Sequence, residues 1–366
     1  MSYERPNIAA MHGYISGEQP VDPEAIKLNT NENPYPPAPE VAKVIAAFNA
    51  DALRLYPPPT ADDFRDAAAM LHGLSRDHLI ATRGGDELLR LVITTFVAPG
   101  AAIGTTDPTY SLYKTLAEVQ DCPVISIPLR TESWQLPSDF PEQMNDAGVA
   151  LTLLVNPHAP TGLLISHSHL KELANRLDGL LLIDEAYVDF VDPNLGYDAV
   201  SLVHELDNVI ILRSLSKGYS LAGLRFGYGI ASPELIRPML VKTKDSYNLD
   251  LLSQKIALAA INNQSHAAET WTRVRSERNR LVREFTALNL PAAVSETNFL
   301  LISVSDIHHN QTSAEQLYRG LKSQGVFLRY FSDERLRDKL RVTIGTPEEN
   351  DRLLHEMKSI LVQDGG

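Results

Sequence analysis

The 366-residue chain contains little of what several protein classes require. Its single cysteine, Cys122, can form neither an internal disulfide nor a multi-cysteine metal site. The 33 Lys and Arg residues are outnumbered by 46 Asp and Glu residues, so a basic face for nucleic acid is not expected. A single thiol also fits a reducing cytosol. These absences indicate a cytoplasmic protein with, at most, a local basic pocket for a small anion.

Long apolar runs and an N-terminal leader are absent as well. The runs at residues 149–155 and 180–183 fall far short of the ~20 apolar residues that span a bilayer, and they have the length of buried strands. Residues 1–10 include Glu4 and Arg5 and have no apolar core, unlike a signal peptide. We therefore expect no membrane association. The length predicts two domains, at roughly 100–200 residues each.

Short apolar segments alternate with helical patterns through the middle of the chain. Stretches of ~10–15 residues with helical spacing separate the apolar segments, which predicts right-handed βαβ units and a parallel sheet. Strands that are apolar throughout predict helices on both faces of that sheet, and hence an α/β fold. The predicted strands are residues 101–105, 123–129, 149–155, 180–183 and 209–212.

The pattern changes after about residue 253. A long polar helix, broken once, is predicted over residues 255–289, and shorter strand and helix segments follow it. This change in composition predicts a smaller α+β domain at the C-terminal end.

Polar residues follow three of the predicted strands directly. The first strand is followed by Asn156-Pro157, the second by Asp184 and Tyr187, and the third by a segment that ends in Lys217. Because ligands in open parallel sheets bind beyond the carboxyl ends of the strands, we expect these side chains at one rim. A Gly-Gly-Asp turn at residues 84–86 opens a predicted helix, whose N-terminus suits an anion.

An amine, a carboxylate, a phenol and an amide at one rim suit pyridoxal phosphate (PLP). Lys217 would form the Schiff base, and Asp184 would keep the ring nitrogen protonated. Each residue also has an ordinary explanation by itself: Lys217 as a solvated side chain, Asp184 as a helix cap, Asn156-Pro157 as a turn. Their combination, in this order at strand ends, favours the cofactor.

Several segments match a known family. Residues 156–162, 184–190 and 214–228 resemble motifs of the fold-type I aminotransferases, the last of them the lysine motif. Within that family the chain is most similar to the histidinol-phosphate aminotransferases. The segments that carry this closer resemblance are residues 28–34, 55–57, 108–113 and 340–346.

The resemblance implies an architecture. A fold-type I PLP-transferase has a large domain with a mostly parallel seven-stranded sheet and a smaller α+β domain. Residues 1–40 would form an N-terminal arm and part of the small domain, residues 41–260 the large PLP-binding domain, and residues 261–366 the small C-terminal domain. The resemblance also implies a homodimer, in which Tyr56 reaches the phosphate of the neighbouring subunit's cofactor.

The resemblance further implies roles around the cofactor. Lys217 would be the Schiff-base lysine and the proton shuttle, and Asp184 would pair with the pyridinium. Tyr187 and Asn156 would hydrogen-bond the cofactor atom O3′, and Tyr110 would stack on the ring. The phosphate would be held by the backbone amides of Gly85 and Asp86 and by Ser214, Ser216 and Arg225.

The implied reaction is transamination between L-histidinol phosphate and 2-oxoglutarate, which gives imidazole-acetol phosphate and L-glutamate. Arg341 would bind the substrate anion, with Arg329 as a second cation. Tyr14 would close over the substrate from the N-terminal arm, and Asn33 would also contact it. Two alternatives stay open: an aminotransferase for aromatic or other amino acids, and a decarboxylase that acts on threonine phosphate.

The chain departs from the family pattern at three points, the first of which is Gly85, where a small residue such as serine or alanine is common. The block after the strand at residues 149–155 usually reads Asn-Pro-Asn-Asn-Pro-Thr-Gly in the family. Here His158 and Ala159 replace the middle pair, and Asn156 is expected to keep the O3′ contact. Leu55 stands where arginine is frequent before the tyrosine.

Two histidine pairs invite a metal interpretation. His167 and His169 lie at the start of a predicted helix, where side chains two residues apart do not face each other. His308 and His309 fall in a polar segment that predicts a solvated loop. No metal site is therefore predicted.

Overall fold

The computed structural model describes residues 3–304 and 313–363, so His308 and His309 lie outside the described residues. None of the helices within these ranges is both long enough and apolar enough to cross a membrane. The described helices are α1 (Pro6–Ala9), α2 (Pro39–Ala47), α3 (Asp62–His72), α4 (Gly84–Phe96), α5 (Leu112–Val119), α6 (Phe140–Asp146), α7 (His167–Arg176), α8 (Leu202–Glu205), α9 (Pro233–Pro238), α10 (Leu251–Ile261), α11 (Gln264–Ala287), α12 (Ala314–Ser323) and α13 (Pro347–Gln363).

The described strands form three sheets. They are β1 (Ile26–Lys27), β2 (Leu79–Thr82), β3 (Ala102–Asp107), β4 (Val124–Pro128), β5 (Val149–Val155), β6 (Leu180–Asp184), β7 (Val209–Ser214), β8 (Gly227–Ala231), β9 (Phe299–Ser303), β10 (Val326–Phe327), β11 (Arg329–Tyr330) and β12 (Lys339–Thr343).

The central sheet has seven strands in the order β2-β8-β7-β6-β5-β3-β4. Strands β3 to β7 run parallel to one another. Strand β8 is antiparallel to both of its neighbours, β2 and β7. The predicted α/β class with a mostly parallel seven-stranded sheet is confirmed.

Helices cover both faces of this sheet because successive strand residues are apolar on opposite faces. Ile183 and Ile211 belong to one buried cluster, which α3, α7 and α10 cover. Leu182 and Ile210, one position earlier in each strand, belong to another cluster under α4 and α5. Full burial of each such side chain stabilises the fold by about 1.5–3 kcal/mol. The strands therefore have no solvated face, as their continuous apolar sequences predicted.

The sequence pattern did not predict β8. Its sequence includes Gly227 and Gly229, which lack the apolar side chains that mark a strand. A Cβ at Gly229 would lie 2.9 Å from Cδ1 of Leu88, so a larger residue would push α4 off the sheet. The connection from β7 to β8 contains no crossover helix, so β8 returns antiparallel. That same connection carries Lys217.

The C-terminal part contains a smaller α+β assembly. Strands β11, β12 and β9 form an antiparallel sheet, and β10 pairs in parallel with β1 near the N-terminus. Residues 326–330 therefore form two short strands that belong to two different sheets. The predicted long helix is broken at Asn262 and Asn263, between α10 and α11. The core between α11, α12, α13 and β12 includes Leu281, Leu317 and Met357.

Candidate functional site

A cavity of about 250 Å³ lies at the carboxyl ends of β5, β6 and β7. Parallel strands end at the same edge of the sheet, so the polar residues that follow them meet there. Most of the predicted site residues line this cavity: Tyr14, Gly85, Asp86, Tyr110, Asp184, Tyr187, Ser214, Ser216, Lys217, Arg225, Arg329 and Arg341.

Lys217 lies in the connection after β7, with its amine in the cavity. The Nζ atom donates a hydrogen bond to the backbone oxygen of Thr30 at 2.7 Å. Burial lowers the pKa of Lys217 to about 8; the Glu32 carboxylate opposes this effect, and the Arg341 cation adds to it. The amine is therefore much closer to losing its proton at neutral pH than an ordinary lysine.

Asp184 is the last residue of β6, and both of its carboxylate oxygens are held. Oδ2 accepts a hydrogen bond from the Tyr113 hydroxyl at 2.9 Å, and Oδ1 accepts from the backbone N–H of Ala186 at 3.1 Å. Burial nevertheless raises the pKa of Asp184 to about 6, more than these hydrogen bonds lower it. A buried carboxylate of this kind is stabilised by a cationic group placed beside it.

The start of α4 and the Arg225 side chain form a pocket for an anion. Arg225 donates from Nη1 to the Ser216 hydroxyl at 3.3 Å and from Nη2 to Asp86 Oδ2 at 3.1 Å. The first N–H groups of a helix have no acceptor within it and carry the positive end of its dipole. Gly84 has φ +76°, and a Cβ there would lie 2.8 Å from Nη2 of Arg225. Glycine is therefore needed where the guanidinium approaches the helix.

Two tyrosines provide aromatic surface. The ring of Tyr14 lies edge-on to that of Tyr110, with 6.1 Å between centroids. Tyr110 is itself edge-on to Tyr113 at 5.6 Å. Burial raises the pKa of Tyr110, and the Asp86 carboxylate adds to this, so the phenol keeps its proton. The N-terminal segment thus reaches the cavity, as predicted for Tyr14.

Two arginines reach the cavity from the small sheet. Arg329 on β11 lies directly opposite Arg341 on β12. The Arg341 guanidinium lies 5.2 Å from the centroid of the Phe299 ring and 5.7 Å from that of Phe331, and it donates to the Asn29 backbone oxygen at 3.0 Å. Within the described chain its buried Nε has no partner, and no carboxylate pairs with it. Among the residues that the structure describes, neither Arg329 nor Arg341 has a carboxylate partner.

Asn156, predicted to contact O3′, does not line the cavity. Its amide nitrogen donates to the Ile165 backbone oxygen at 3.0 Å and to the Tyr197 hydroxyl at 2.7 Å, and Oδ1 accepts from the Ile165 N–H at 2.7 Å. Both amide hydrogens are thus used behind the cavity wall. The wall on this side consists of Val155, Ala159 and Pro160 instead.

Asn33 and Tyr56 also lie outside the cavity. Asn33 is buried and donates to the Gly218 backbone oxygen at 3.3 Å and to the Thr270 hydroxyl at 3.2 Å. Tyr56 is 82% exposed and stacks on Tyr247, with 4.5 Å between ring centroids. Within one chain, neither side chain reaches the other predicted site residues.

Sequence reasoning missed several polar residues at the site, among them Thr30, Asn31 and Tyr113. Thr30 and Asn31 line the cavity, and Tyr113 holds Asp184. Thr30 and Asn31 belong to the motif at residues 28–34, but no period distinguishes them from an irregular arm. Tyr113 belongs to the family-like segment at residues 108–113, and that signal could have found it.

The chain is similar in sequence to proteins of known activity. The profile of the aminotransferase class I and II family matches residues 23–357. A histidinol-phosphate aminotransferase of Trichormus variabilis is 40% identical over 361 residues, which cover 98% of this chain and 99% of the relative. Another, from Geotalea uraniireducens, is 39% identical over 357 residues, or 97% of this chain and 99% of that protein.

The fold is also similar to that of a solved structure. The crystal structure of histidinol-phosphate aminotransferase from Sinorhizobium meliloti, in complex with PLP, superposes with a TM-score of 0.88 and 23% identity, covering 99% of this chain and 98% of the other. PLP is the cofactor of this enzyme family, so the predicted enzyme class and cofactor are confirmed. The chain belongs to the class I and II aminotransferase family.

Proposed function

We propose that the protein transfers the amino group of L-histidinol phosphate to 2-oxoglutarate, giving imidazole-acetol phosphate and L-glutamate. The observation that carries this proposal is the pair Arg329 and Arg341, two opposed cations in the cavity without a carboxylate partner among the described residues. A substrate phosphate or carboxylate supplies the missing negative charge. Relatives 40% and 39% identical over nearly their full length carry the name of this activity.

The chemistry of the cavity walls fits PLP. Lys217 offers an amine for the Schiff base, and Asp184 offers a carboxylate for the ring nitrogen. Arg225, Ser216 and the N-terminus of α4 offer a phosphate site. When bound there, PLP supplies an electron sink for the negative charge that develops at the substrate Cα.

Lys217 is the residue that we assign to proton transfer. Its neutral amine takes the proton from the substrate Cα and returns it at C4′ of the cofactor. An ordinary lysine, with a pKa of ~10.4, would be almost fully protonated at pH 7. With its pKa lowered to about 8 by burial, roughly a tenth of Lys217 is neutral at that pH. Asp184 keeps the ring nitrogen protonated and so maintains the electron sink.

Arg341 is assigned to the substrate anion in both half-reactions. The site must accept a phosphate from one substrate and a carboxylate from the other. A planar guanidinium can bind either group through two parallel hydrogen bonds. The rings of Phe299 and Phe331 and the Asn29 backbone oxygen hold this guanidinium in place, and its Nε has no acceptor within residues 3–304 and 313–363.

Single-turnover spectra of the PLP-loaded enzyme test the substrate. Histidinol phosphate is expected to convert the bound aldehyde form of the cofactor to the amine form, and phenylalanine is not. Conversion by phenylalanine alone would instead establish an aromatic aminotransferase. Release of carbon dioxide from threonine phosphate would establish a decarboxylase, and either result overturns the proposal.

We also propose that the enzyme is a cytosolic homodimer. Leu53 and Leu55 are each 59% exposed beside Tyr56, and the Tyr56–Tyr247 stack extends this apolar surface. A second copy that covers such a surface removes it from water. The free thiol of Cys122 fits a reducing compartment.

Sedimentation velocity tests the assembly. It is expected to give twice the chain mass of 40.4 kDa. Because Tyr56 is expected to reach the neighbouring subunit's cofactor, Tyr56→Ala should weaken PLP binding in the dimer. A monomer that binds PLP with unchanged affinity contradicts the proposal.

A further inference from the structure

We propose that Asn31 is a positioning residue that aims the hydroxyl proton of Tyr187 into the cavity, towards O3′ of the cofactor. The inference rests on the proposed function, because it takes the cavity as the PLP site. Asn31 is not among the predicted site residues, and its contacts give a direction to each hydrogen bond described around Tyr187.

The hydrogen-bond directions follow from the donors and acceptors present. The backbone N–H of Asn31 donates to the Thr343 hydroxyl at 3.0 Å, which leaves the Thr343 proton to be donated onward. That proton goes to Oδ1 of Asn31, also at 3.0 Å. The Asn31 Nδ2 group therefore faces the Tyr187 hydroxyl, 3.1 Å away. Because Nδ2 can only donate, Tyr187 must accept here, and its own proton is free for another acceptor.

The position of Asn31 is set independently of its side chain. Its backbone has φ 58°, in the left-handed region that asparagine tolerates better than most residues. Its backbone oxygen accepts a hydrogen bond from Asn298 Nδ2 at 3.0 Å, and the residue is only 1% exposed. With the backbone anchored in this way, the orientation of the Asn31 amide is set by the Thr343 hydroxyl, and the amide in turn sets that of the Tyr187 hydroxyl.

The residues on the β5 side of the cavity make the Tyr187 proton more important as a hydrogen-bond donor to O3′. Val155, Ala159 and Pro160 line the cavity on the β5 side, and none of them has a side-chain donor. The nearby Asn156 uses both amide hydrogens on Ile165 and the Tyr197 hydroxyl. Tyr187 is therefore the donor that we assign to O3′, without help from an asparagine on β5 or the loop after it.

The same arrangement links the cofactor to the substrate-binding strand. Thr343 and Arg341 are two residues apart on β12, so their side chains lie on the same face of that strand. Movement of β12 as Arg341 binds an anion would also move the hydroxyl that orients Asn31. Anion binding at Arg341 is thereby linked to the orientation of the Tyr187 hydroxyl near O3′.

The pKa of the Schiff base in the resting holoenzyme measures the effect without turnover. The negative charge on O3′ stabilises the protonated imine, and a hydrogen bond donated to O3′ weakens that effect. Loss of the donor therefore raises the Schiff-base pKa. Spectrophotometric titration of Thr343→Val is expected to show a rise of about one unit. Without the Thr343 hydroxyl, the Asn31 amide can turn and accept the Tyr187 proton. Thr343→Ser, which keeps the hydroxyl and loses only a methyl group, is the matched control and should titrate like the wild type.

Asn31→Gly supplies an independent variant, because glycine keeps the left-handed backbone and removes the amide. It should raise the Schiff-base pKa by about as much as Thr343→Val. In a Tyr187→Phe background it should cause no further rise, because the proton that it orients is already gone.

The outcomes separate this inference from the proposed function. Equal shifts in Thr343→Val and Thr343→Ser, or an additive effect of Asn31→Gly and Tyr187→Phe, would overturn the role of Asn31 while leaving the cofactor in place. A wild-type protein that forms no borohydride-reducible chromophore with PLP would overturn the cofactor site itself.

Discussion

Arg329 and Arg341 oppose each other across the antiparallel pair β11–β12, with their cationic groups in one cavity. Like charges placed directly opposite in a sheet destabilise it. The aromatic rings around Arg341 offset part of this cost. An anion bound between the two arginines removes the repulsion, so substrate binding also stabilises this part of the fold.

Replacing Arg341 should therefore affect phosphorylated substrate selectively. Loss of a charge-assisted hydrogen bond of about 1.5–3 kcal/mol predicts that Arg341→Gln lowers kcat/KM for histidinol phosphate roughly 10–100-fold. The kcat/KM for L-histidinol, which lacks the phosphate, provides the control, since it reports only the amine half-reaction and should differ little between the variant and the wild type. An equal loss with both amines would mean that Arg341 supports the fold rather than the anion.

The amine of Lys217 gives a pH dependence that can be measured on the apoprotein. Only the neutral amine attacks the PLP aldehyde, and burial lowers the pKa of Lys217 to about 8. The rate of PLP uptake should rise about tenfold per pH unit below that value and level off above it. Stopped-flow absorbance provides the measurement. Glu32→Gln should move the inflection to lower pH, since the Glu32 carboxylate raises the pKa of Lys217. A rate that still climbs tenfold per unit above pH 9 would contradict the lowered pKa.

Asp184 should reduce the stability of the apoprotein at neutral pH. Its pKa is about 6 in the fold against the ordinary 3.8, so the folded state binds this proton more tightly than the unfolded state. The resulting stabilisation is present below pH 3.8 and is lost as the pH rises through 6. Asp184→Asn, which removes the buried charge, should raise the free energy of unfolding at pH 7 by about 3 kcal/mol, with a much smaller effect at pH 4.

Urea unfolding of both apoproteins at the two pH values measures this difference. The same variant should lose transamination by orders of magnitude, because nothing then keeps the ring nitrogen protonated. A variant that is less stable than the wild type at pH 7 would show that the Asp184 hydrogen bonds outweigh its desolvation.

The predictable part of the site depends on local sequence. Asp184 and Lys217 follow apolar strands closely, so strand pattern and chain order were enough to bring them to one edge. Local sequence was not enough to place the Asn156 side chain, because its amide donates to the Tyr197 hydroxyl, 41 residues away. Asn31 depends on Thr343, at a separation of 312 residues. Such partners are set by tertiary packing, which a strand or helix period does not encode.

The strands of the central sheet also differ in whether local sequence was enough to predict them. Strands β5, β6 and β7 were predicted because continuous apolar runs have few alternatives to a buried strand. Strand β8 was missed because Gly227 and Gly229 are selected by the close approach of α4 and its first turn. A Cβ at Gly227 would lie 2.9 Å from the backbone carbon of Gly84, a contact that cannot be inferred without the packed structure.

A buried ion pair behind the cavity gives the largest predicted effect on stability. The Glu185 side chain is fully buried and accepts from Arg213 Nε at 2.7 Å and from the Tyr197 hydroxyl at 2.7 Å. Arg213→Met leaves this carboxylate buried without its cation, which should cost about 3–5 kcal/mol in the free energy of unfolding. The double variant Glu185→Gln/Arg213→Met removes both charges and should recover most of that loss. Arg176→Met, which breaks the exposed pair with Glu142, is the control and should cost at most about 1 kcal/mol. Urea denaturation of the four proteins decides the matter: similar losses in Arg213→Met and Arg176→Met would show that the buried pair contributes no more than a surface one.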